Sequence, residues 1–581
     1  MTLSLENQIN QKMSQAFQSL GLNEAFAFVK VSDRPDLSDF QCNGALALAK
    51  SEHKNPREIA TQIAAVLEKD RAFAKISVDG PGFLNLSLSD EFLSCQMQEM
   101  SKDANLGIAK VNNPHKVVLD FGGPNVAKAM HVGHLRSGVI GEAVQRIERL
   151  VGNEVVSDVH LGDWGTPMGM ILAEIIKQDG NLDKATTYNI DEITEFYKRA
   201  NIRCKEDEEA KETARLITAK LQDGDPIYRK AWQHLRNVSV AAVKANYEAL
   251  DVHFNLWLGE SDAHETCKEI VKIAAQKGLS EVDEGATIIR LDEENAKQKL
   301  PPVILEKSDG GFTYHTTDIA TIKMRVDDLH ADEICYFVDQ RQSLHFEQVF
   351  KAVSMLGIAP NTSLSHYGFG TVNGADGKPF KTRDGGVMTL ENLIKLSKDK
   401  VRESVPEANE VEGYDEAAIE KLVNQIAVGA IKFQDLKNNT ASGYVFDLDD
   451  FAKFDGKTGP YIQYAIARIN SILRKAADKD LTAGQIQISN REERDLALKM
   501  AQLNAAVMRA HQEKEPSIIA EYAYNLAQVF SSFYNAAPIM TAETKALAQS
   551  RLALARLLRD ILIKLLYLLG IEAPEVMLKK A

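Results

Sequence analysis

One stretch constrains this chain more than any other: a strand pattern that runs through a glycine-containing loop into a helix pattern. KVVLDF (116–121) has the make-up of a buried strand, and the loop GGPNVAKAM follows it. HLRSGVIGEAVQRIERLVG (134–152) then places Leu135, Val139, Ala143, Ile147 and Leu150 on one helical face before stopping at Gly152-Asn153. EVVSDVHLGDWG (154–165) is a second strand leading into a loop. Strand, loop, helix and strand within about 45 residues make a βαβ crossover, the unit of doubly wound, Rossmann-type parallel sheets.

Two histidines, in His131-Val132-Gly133-His134, sit where the first strand hands over to the helix. A helix start offers free N–H groups and the positive end of its dipole to an anion. Gly133 allows a nucleotide close to the backbone, and the histidines can donate hydrogen bonds to phosphate oxygens as an α-phosphate becomes pentacoordinate. An HxGH tetrapeptide alone also occurs as a packing feature, so its place between strand and helix carries the weight.

At 581 residues the chain is too long for one core. Residues 1–112 read as a small α/β unit. It has a helix start at Asn55-Pro56, and KISVDGPGFLNLSLS (75–89) alternates as strands do around a Gly-Pro-Gly turn. A catalytic α/β domain is expected over 113–404, with a polar helical insertion near 180–250. Strand-like pieces resume at ATIIRL (286–291), PPVILEK (301–307), EICYFV (333–338) and LSHYGFG (364–370). Beyond about 405 the pattern is nearly all helical, including TGPYIQYAIARINSILRK (458–475), and 405–581 reads as an all-α bundle.

Five cysteines are scattered singly with no CxxC pair, which argues against a structural zinc site or a disulfide framework. The apolar run Ile561–Ile571 is short and contains Lys564, and the first residues are amphipathic rather than signal-like, so a cytoplasmic location is expected. Net charge is −14, from 68 basic and 82 acidic residues. A polyanion binder with that balance must concentrate its positive charge locally.

His131-Val132-Gly133-His134 resembles the "HIGH" signature of class I aminoacyl-tRNA synthetases and some nucleotidylyltransferases. The longer strings DFGGPNVAKAMHVGHLRS and HLGDWG (160–165) resemble the arginyl-tRNA synthetase family. So do SDGGFTYHTTDIA (308–320), GFG…GKPFKTRDGG (368–386), GKTGPYIQYAIARI (456–469) and APEVM (573–577), in the family's order over essentially the whole chain. The second class I signature, "KMSKS", is present only as a degenerate piece in Lys378-Pro379-Phe380-Lys381-Thr382-Arg383, and Lys128 just before the histidines fits the family's alternative cation.

The resemblance implies ATP, phosphate-bound Mg²⁺ without a dedicated protein cage, L-arginine and tRNA-Arg, acting in a monomer. His131 and His134 would stabilise the α-phosphate, with Gly133 and Gly370 beside the nucleotide. Lys128, Lys378, Lys381 and Arg383 would handle the other phosphates. Asp120, Asn125, Tyr314, Asp318 and Gln342 match family positions that contact the substrate arginine, a planar cation whose selective binding needs carboxylates in fixed geometry. Thr317 departs from the family, which has arginine before this aspartate. The N-terminal unit resembles the module that touches the tRNA elbow, with Phe40 and Asn43 as contacts. The bundle resembles the anticodon-binding domain, with Tyr461, Arg468 and Tyr534 as RNA contacts. Competing readings are another class I synthetase such as the cysteine enzyme, a small-molecule nucleotidylyltransferase, and a non-catalytic RNA-binding paralogue.

Overall fold

The computed structural model of the chain describes residues 4–34, 36–291, 300–374, 377, 388–447, 453–578 and 580. The chain divides into two compact units: one comprises 1–110, 405–426 and 453–581, the other 111–404 and 427–452.

In the first unit, helix α1 (Leu5–Ser19) buries Leu5, Ile9, Met13, Ala16 and Phe17, the one-face spacing its sequence carries. There follow β1 (Val29–Val31), β2 (Phe40–Cys42), α2 (Gly44–Glu52), α3 (Pro56–Leu67), β3 (Phe73–Asp79), β4 (Phe83–Leu88) and α4 (Asp90–Lys102). Asn55 Oδ1 accepts the Arg57 N–H and Pro56 opens α3, as the Asn-Pro pair predicts. The four strands form an antiparallel sheet in the order β1-β2-β4-β3. Phe40 pairs with Val31 on one side and Leu86 on the other, and it is only 4% exposed. Its reading as an RNA contact is therefore corrected: the ring is core and offers no face on which a base could stack.

The second unit carries β5 (Lys116–Phe121), α5 (Val132–Leu150) and β6 (Glu154–Asp158). The insertion is helical: α6 (Thr166–Asp179), α7 (Ile190–Glu206), α8 (Glu208–Gln222) and α9 (Pro226–Ala249). After it come α10 (His264–Gln276), β7 (Ser280–Asp283), β8 (Ala286–Ile289), β9 (Val303–Glu306), α11 (Tyr314–Asp327), β10 (Glu333–Phe337), α12 (Ser343–Leu356), β11 (Ser363–His366), β12 (Val372–Asn373), α13 (Leu390–Arg402), α14 (Glu416–Leu436) and β13 (Tyr444–Val445). The unit boundary falls within α14.

The main sheet is parallel, ordered β11-β10-β5-β6. From β5 the chain crosses to β6 on one side and later returns to β10 on the other. The switch point at the carboxyl end of β5 is where such sheets form a binding crevice. Only two of the four later strand-like pieces join this sheet. β8 and β9 instead form a separate antiparallel sheet with β7, because Glu284 and Gly285, both at positive φ, close a two-residue hairpin after β7. The core between sheet and helices includes Val118, Ile319, Ile322, Ile334, Val349 and Val353.

The first unit is completed by α15 (Gly459–Ala477), α16 (Arg491–Ala501), α17 (Leu503–Glu513), α18 (Ser517–Ala536) and α19 (Lys545–Leu568). Thr458 caps α15 through the Tyr461 N–H, and Ile462, Ile466, Ile469 and Ile472 form its buried face. Helix α4 packs on α16, where Arg494 pairs with Asp39 at 2.6 Å and with Asp90. Among the described residues no helix is long and apolar enough to cross a membrane.

Candidate active site

The loop between β5 and α5 is held from below and behind. Ala127 lies in the left-handed region (φ 61°), and its N–H donates to Ser239 Oγ of α9 at 3.0 Å. Val126 N–H donates to Gly162 O, and Gly162 N–H donates to Pro124 O, so the loop pairs with the segment after β6. Asn125 is exposed, and its side-chain oxygen occupies the space a Cβ at Gly162 would need.

His131 is the residue that caps α5. Its Nδ1 accepts the Gly133 N–H at 3.0 Å, while His134 Nδ1 accepts the His131 N–H at 3.1 Å. Each ring therefore carries its proton on Nε2, and the pair presents two Nε2–H donors with ring centroids 4.0 Å apart. Burial, with Lys128 nearby, pushes His131 below the usual histidine range. Burial, then His131 and Lys128, pushes His134 down to about 3. Both rings are thus neutral donors at physiological pH. Gly133 is required by this packing, since a Cβ there would sit 2.7 Å from His131 Cε1. Lys128 rests 4.6 Å from the ring centroid of Tyr197 on the inserted helix α7.

Asp120 is buried near the end of β5, level with Asp158 on β6 and Tyr336 on β10. Arg325 of α11 donates through Nη2 to Asp120 (2.7 Å) and to Asp158 (2.8 Å). Burial raises the Asp120 carboxyl against the pull of Arg325. Burial also acts on Asp158, but His160 and Arg325 outweigh it and hold that carboxyl well below the usual range. Tyr314 and Asp318 lie one turn apart on α11. Tyr314 is exposed, and Asp318 accepts a hydrogen bond from His345 Nε2. Gln342 is exposed at the end of a short 3₁₀ turn after β10.

Glu260 carried no signal in the sequence. Its segment is added to the sheet margin by Leu256 and Gly259, which pair with Asp158 and Leu161. Burial first, then the charges of Asp163 and Asp318, push the Glu260 carboxyl up to about 7, and Tyr314 feels its charge. Asp318, Glu260 and Tyr314 therefore share one acidic, half-buried neighbourhood suited to a cation. His345 and Arg325 were likewise missed, because only the fold brings them to Asp318 and to Asp120 and Asp158.

Gly370 has a packing role. It is buried, its N–H donates to Thr440 O, its carbonyl accepts from Arg136, and a Cβ would meet Gly443 N at 2.3 Å. The missing side chain lets two chain segments approach. Lys378, Lys381 and Arg383 lie outside the described residues. In the first unit, Arg468 Cζ sits 3.7 Å from the Tyr534 ring centroid, and Tyr461 lies 5.6 Å from Tyr524. Asn43 is half-buried ahead of α2.

Together, the parallel sheet, the histidine-capped α5 and the helical C-terminal region define a class I tRNA synthetase. The family "tRNA synthetases class I (R), catalytic domain" matches residues 96–448, more than half of the chain. The "Arginyl tRNA synthetase N terminal domain" matches 4–88 and the "DALR anticodon binding domain" 462–577. The chain is 44% identical to an arginine–tRNA ligase of Hyphomonas neptunium and 42% identical to one of Agathobacter rectalis, in each case over 99% of this chain and all of the relative. An arginyl-tRNA synthetase structure from Plasmodium falciparum superposes with TM-score 0.82 at 26% identity, covering 99% of this chain and 100% of that one. The chain belongs to the arginine–tRNA ligase family.

Proposed function

We propose that this chain carries out arginine–tRNA ligation at the crevice beyond the carboxyl ends of β5 and β10. An arginine carboxylate oxygen attacks the α-phosphorus of ATP in line, the bond to the β-phosphate oxygen breaks, and pyrophosphate leaves. The 2′-hydroxyl of the tRNA's terminal adenosine then attacks the activated carbonyl and loses its proton, and AMP leaves. The observation that carries this reading is the pair of Nε2–H donors, oriented because both Nδ1 atoms are spent on backbone N–H groups. Neutral donors held in place stabilise charge growing on a phosphate without proton transfer.

Lys128, with Lys378, Lys381 and Arg383, takes the leaving phosphates. Mg²⁺ would be held by the phosphates and water and would neutralise their charge. Asp318, Glu260 and Tyr314 read the guanidinium, and Asp120, Asn125 and Gln342 the remainder of the amino acid. A half-buried acidic neighbourhood favours the guanidinium cation over a neutral isostere, which would leave its acceptors unpaired. Residues 1–112 serve as the elbow module, 113–404 with 427–452 as the catalytic module, and the rest of 405–581 as the anticodon module of a cytoplasmic monomer, with Asn43, Tyr461, Arg468 and Tyr534 facing RNA.

The test is charging of a total tRNA pool with each labelled amino acid in turn. Arginine alone should become acid-insoluble, and His134→Ala should lower kcat by about 10²–10³. Charging with another amino acid overturns the pocket, and no charging by folded protein overturns the reaction.

A further inference from the structure

Arg136 takes no part in the chemistry above, yet among the described residues it is the largest fully buried side chain, and it sits on α5 two residues after His134. Its Nε reaches Asp435 Oδ2 at 3.2 Å. Its Nη1 donates to two backbone carbonyls, Gly370 O at 2.9 Å and Ser442 O at 2.8 Å. The guanidinium lies 5.2 Å from the Tyr444 ring centroid, and Tyr444 Oη donates to Asp435 Oδ2 at 2.9 Å. One side chain thus joins three separate stretches: the end of α14, the approach to β12, and the approach to β13. On the opposite flank of the same turn, Val132 N–H donates to Met388 O and Leu390 N–H donates to Met130 O.

The contacts use the three N–H groups of Nε and Nη1, held apart in one plane. A lysine gathers its three donors on one nitrogen at the end of a flexible stem, so it does not hold the same separation between the carboxylate and the two carbonyls. Burying a full charge is costly unless such partners are supplied. A buried apolar side chain would pack α5 at less cost, so the ionic solution points to a requirement for fixed register.

We propose that Arg136 is a positioning residue for the nucleotide site. It sets the first turn of α5, and with it the two Nε2–H donors, against the 370–373 and 435–445 segments. The inference rests on the reading that those donors bind ATP phosphate. Loosening Arg136 weakens ATP binding more than arginine binding, because Asp318, Glu260 and Tyr314, which read the guanidinium, stand on other elements.

The experiment is arginine-dependent ATP–pyrophosphate exchange with saturating tRNA, measured on wild type, His134→Ala, Arg136→Lys, Asp435→Asn and Tyr444→Phe, with thermal unfolding of each. The expected result is a KM for ATP raised about tenfold in Arg136→Lys and severalfold in Tyr444→Phe, with the KM for arginine unchanged within about twofold. An unchanged ATP KM in folded Tyr444→Phe overturns the proposal even if Arg136→Lys does not fold, and so does an equal rise in both KM values. Should His134→Ala leave ATP binding and turnover intact, the reading of the histidines fails instead, whatever Arg136 does.

Discussion

Glu260 and His134 are displaced in opposite senses, and the two displacements make different pH signatures. The Glu260 carboxyl is raised from 4.5 to about 7, chiefly by burial. Between those values the folded state holds a proton that the unfolded state has lost, so stability falls as pH rises through that window. Ionised Glu260 is the form that attracts a guanidinium. The KM for arginine should therefore fall as pH rises towards about 7 and level off above it, and Glu260→Gln should flatten the profile; a flat wild-type profile would remove Glu260 from the pocket. His134 is lowered from 6.5 to about 3. Here the unfolded state takes the proton first, so stability is constant above about 6.5 and declines as pH drops towards 3. NMR of selectively labelled histidine should show the His134 resonance unmoved from pH 8 to 5. The histidine pair was legible because its Val-Gly spacing, between a strand pattern and a helix pattern, lies in the sequence itself. Glu260 was not, since a lone carboxylate in a polar stretch becomes a site only when Asp318 and Tyr314 arrive from about 50 residues further on.

Helix α5 shows what periodicity can and cannot report. Its apolar face was readable, but the pattern pointed to a start at His134 where the helix begins at Val132. Capping is done by a histidine ring, not by the usual Ser, Thr, Asp or Asn, so the ordinary start signal was missing. Its glycines separate two needs. A Cβ at Gly141 would lie 2.1 Å from Phe121 Cγ, in the core between α5 and β5. Gly141→Ala should cost about 1–3 kcal/mol in denaturant unfolding. Gly133→Ala meets only the His131 ring, so it should unfold almost as wild type while ATP–pyrophosphate exchange falls at least tenfold by turning that ring. Strand assignment was harder. ATIIRL and EICYFV look alike as apolar runs, and the positive-φ pair Glu284-Gly285 diverts the first into a hairpin sheet.

In the whole molecule, the chain's two ends share one compact unit, which spacing along the sequence could not reveal. Arg494 of α16 reaches Asp39, Asp90 and the Leu88 carbonyl, and Ile488 N–H donates to Ser94 Oγ. Replacing Arg494 with alanine should destabilise the 4–102 segment by about 2 kcal/mol and speed its hydrogen exchange, while ATP–pyrophosphate exchange is kept. Loss of exchange activity together with the faster opening would show that the segment is needed for the chemistry. By itself the sequence determined the βαβ start, the histidine pair, the apolar face of α5 and the family, because these rest on local periodicity and contiguous motifs. Only the tertiary structure decided that Phe40 and Gly370 are packing residues, that Arg325 ties Asp120 to Asp158, and that Glu260 stands with Asp318. Burial and ion pairing depend on what the rest of the chain brings to a residue, and no run of neighbours in sequence encodes that.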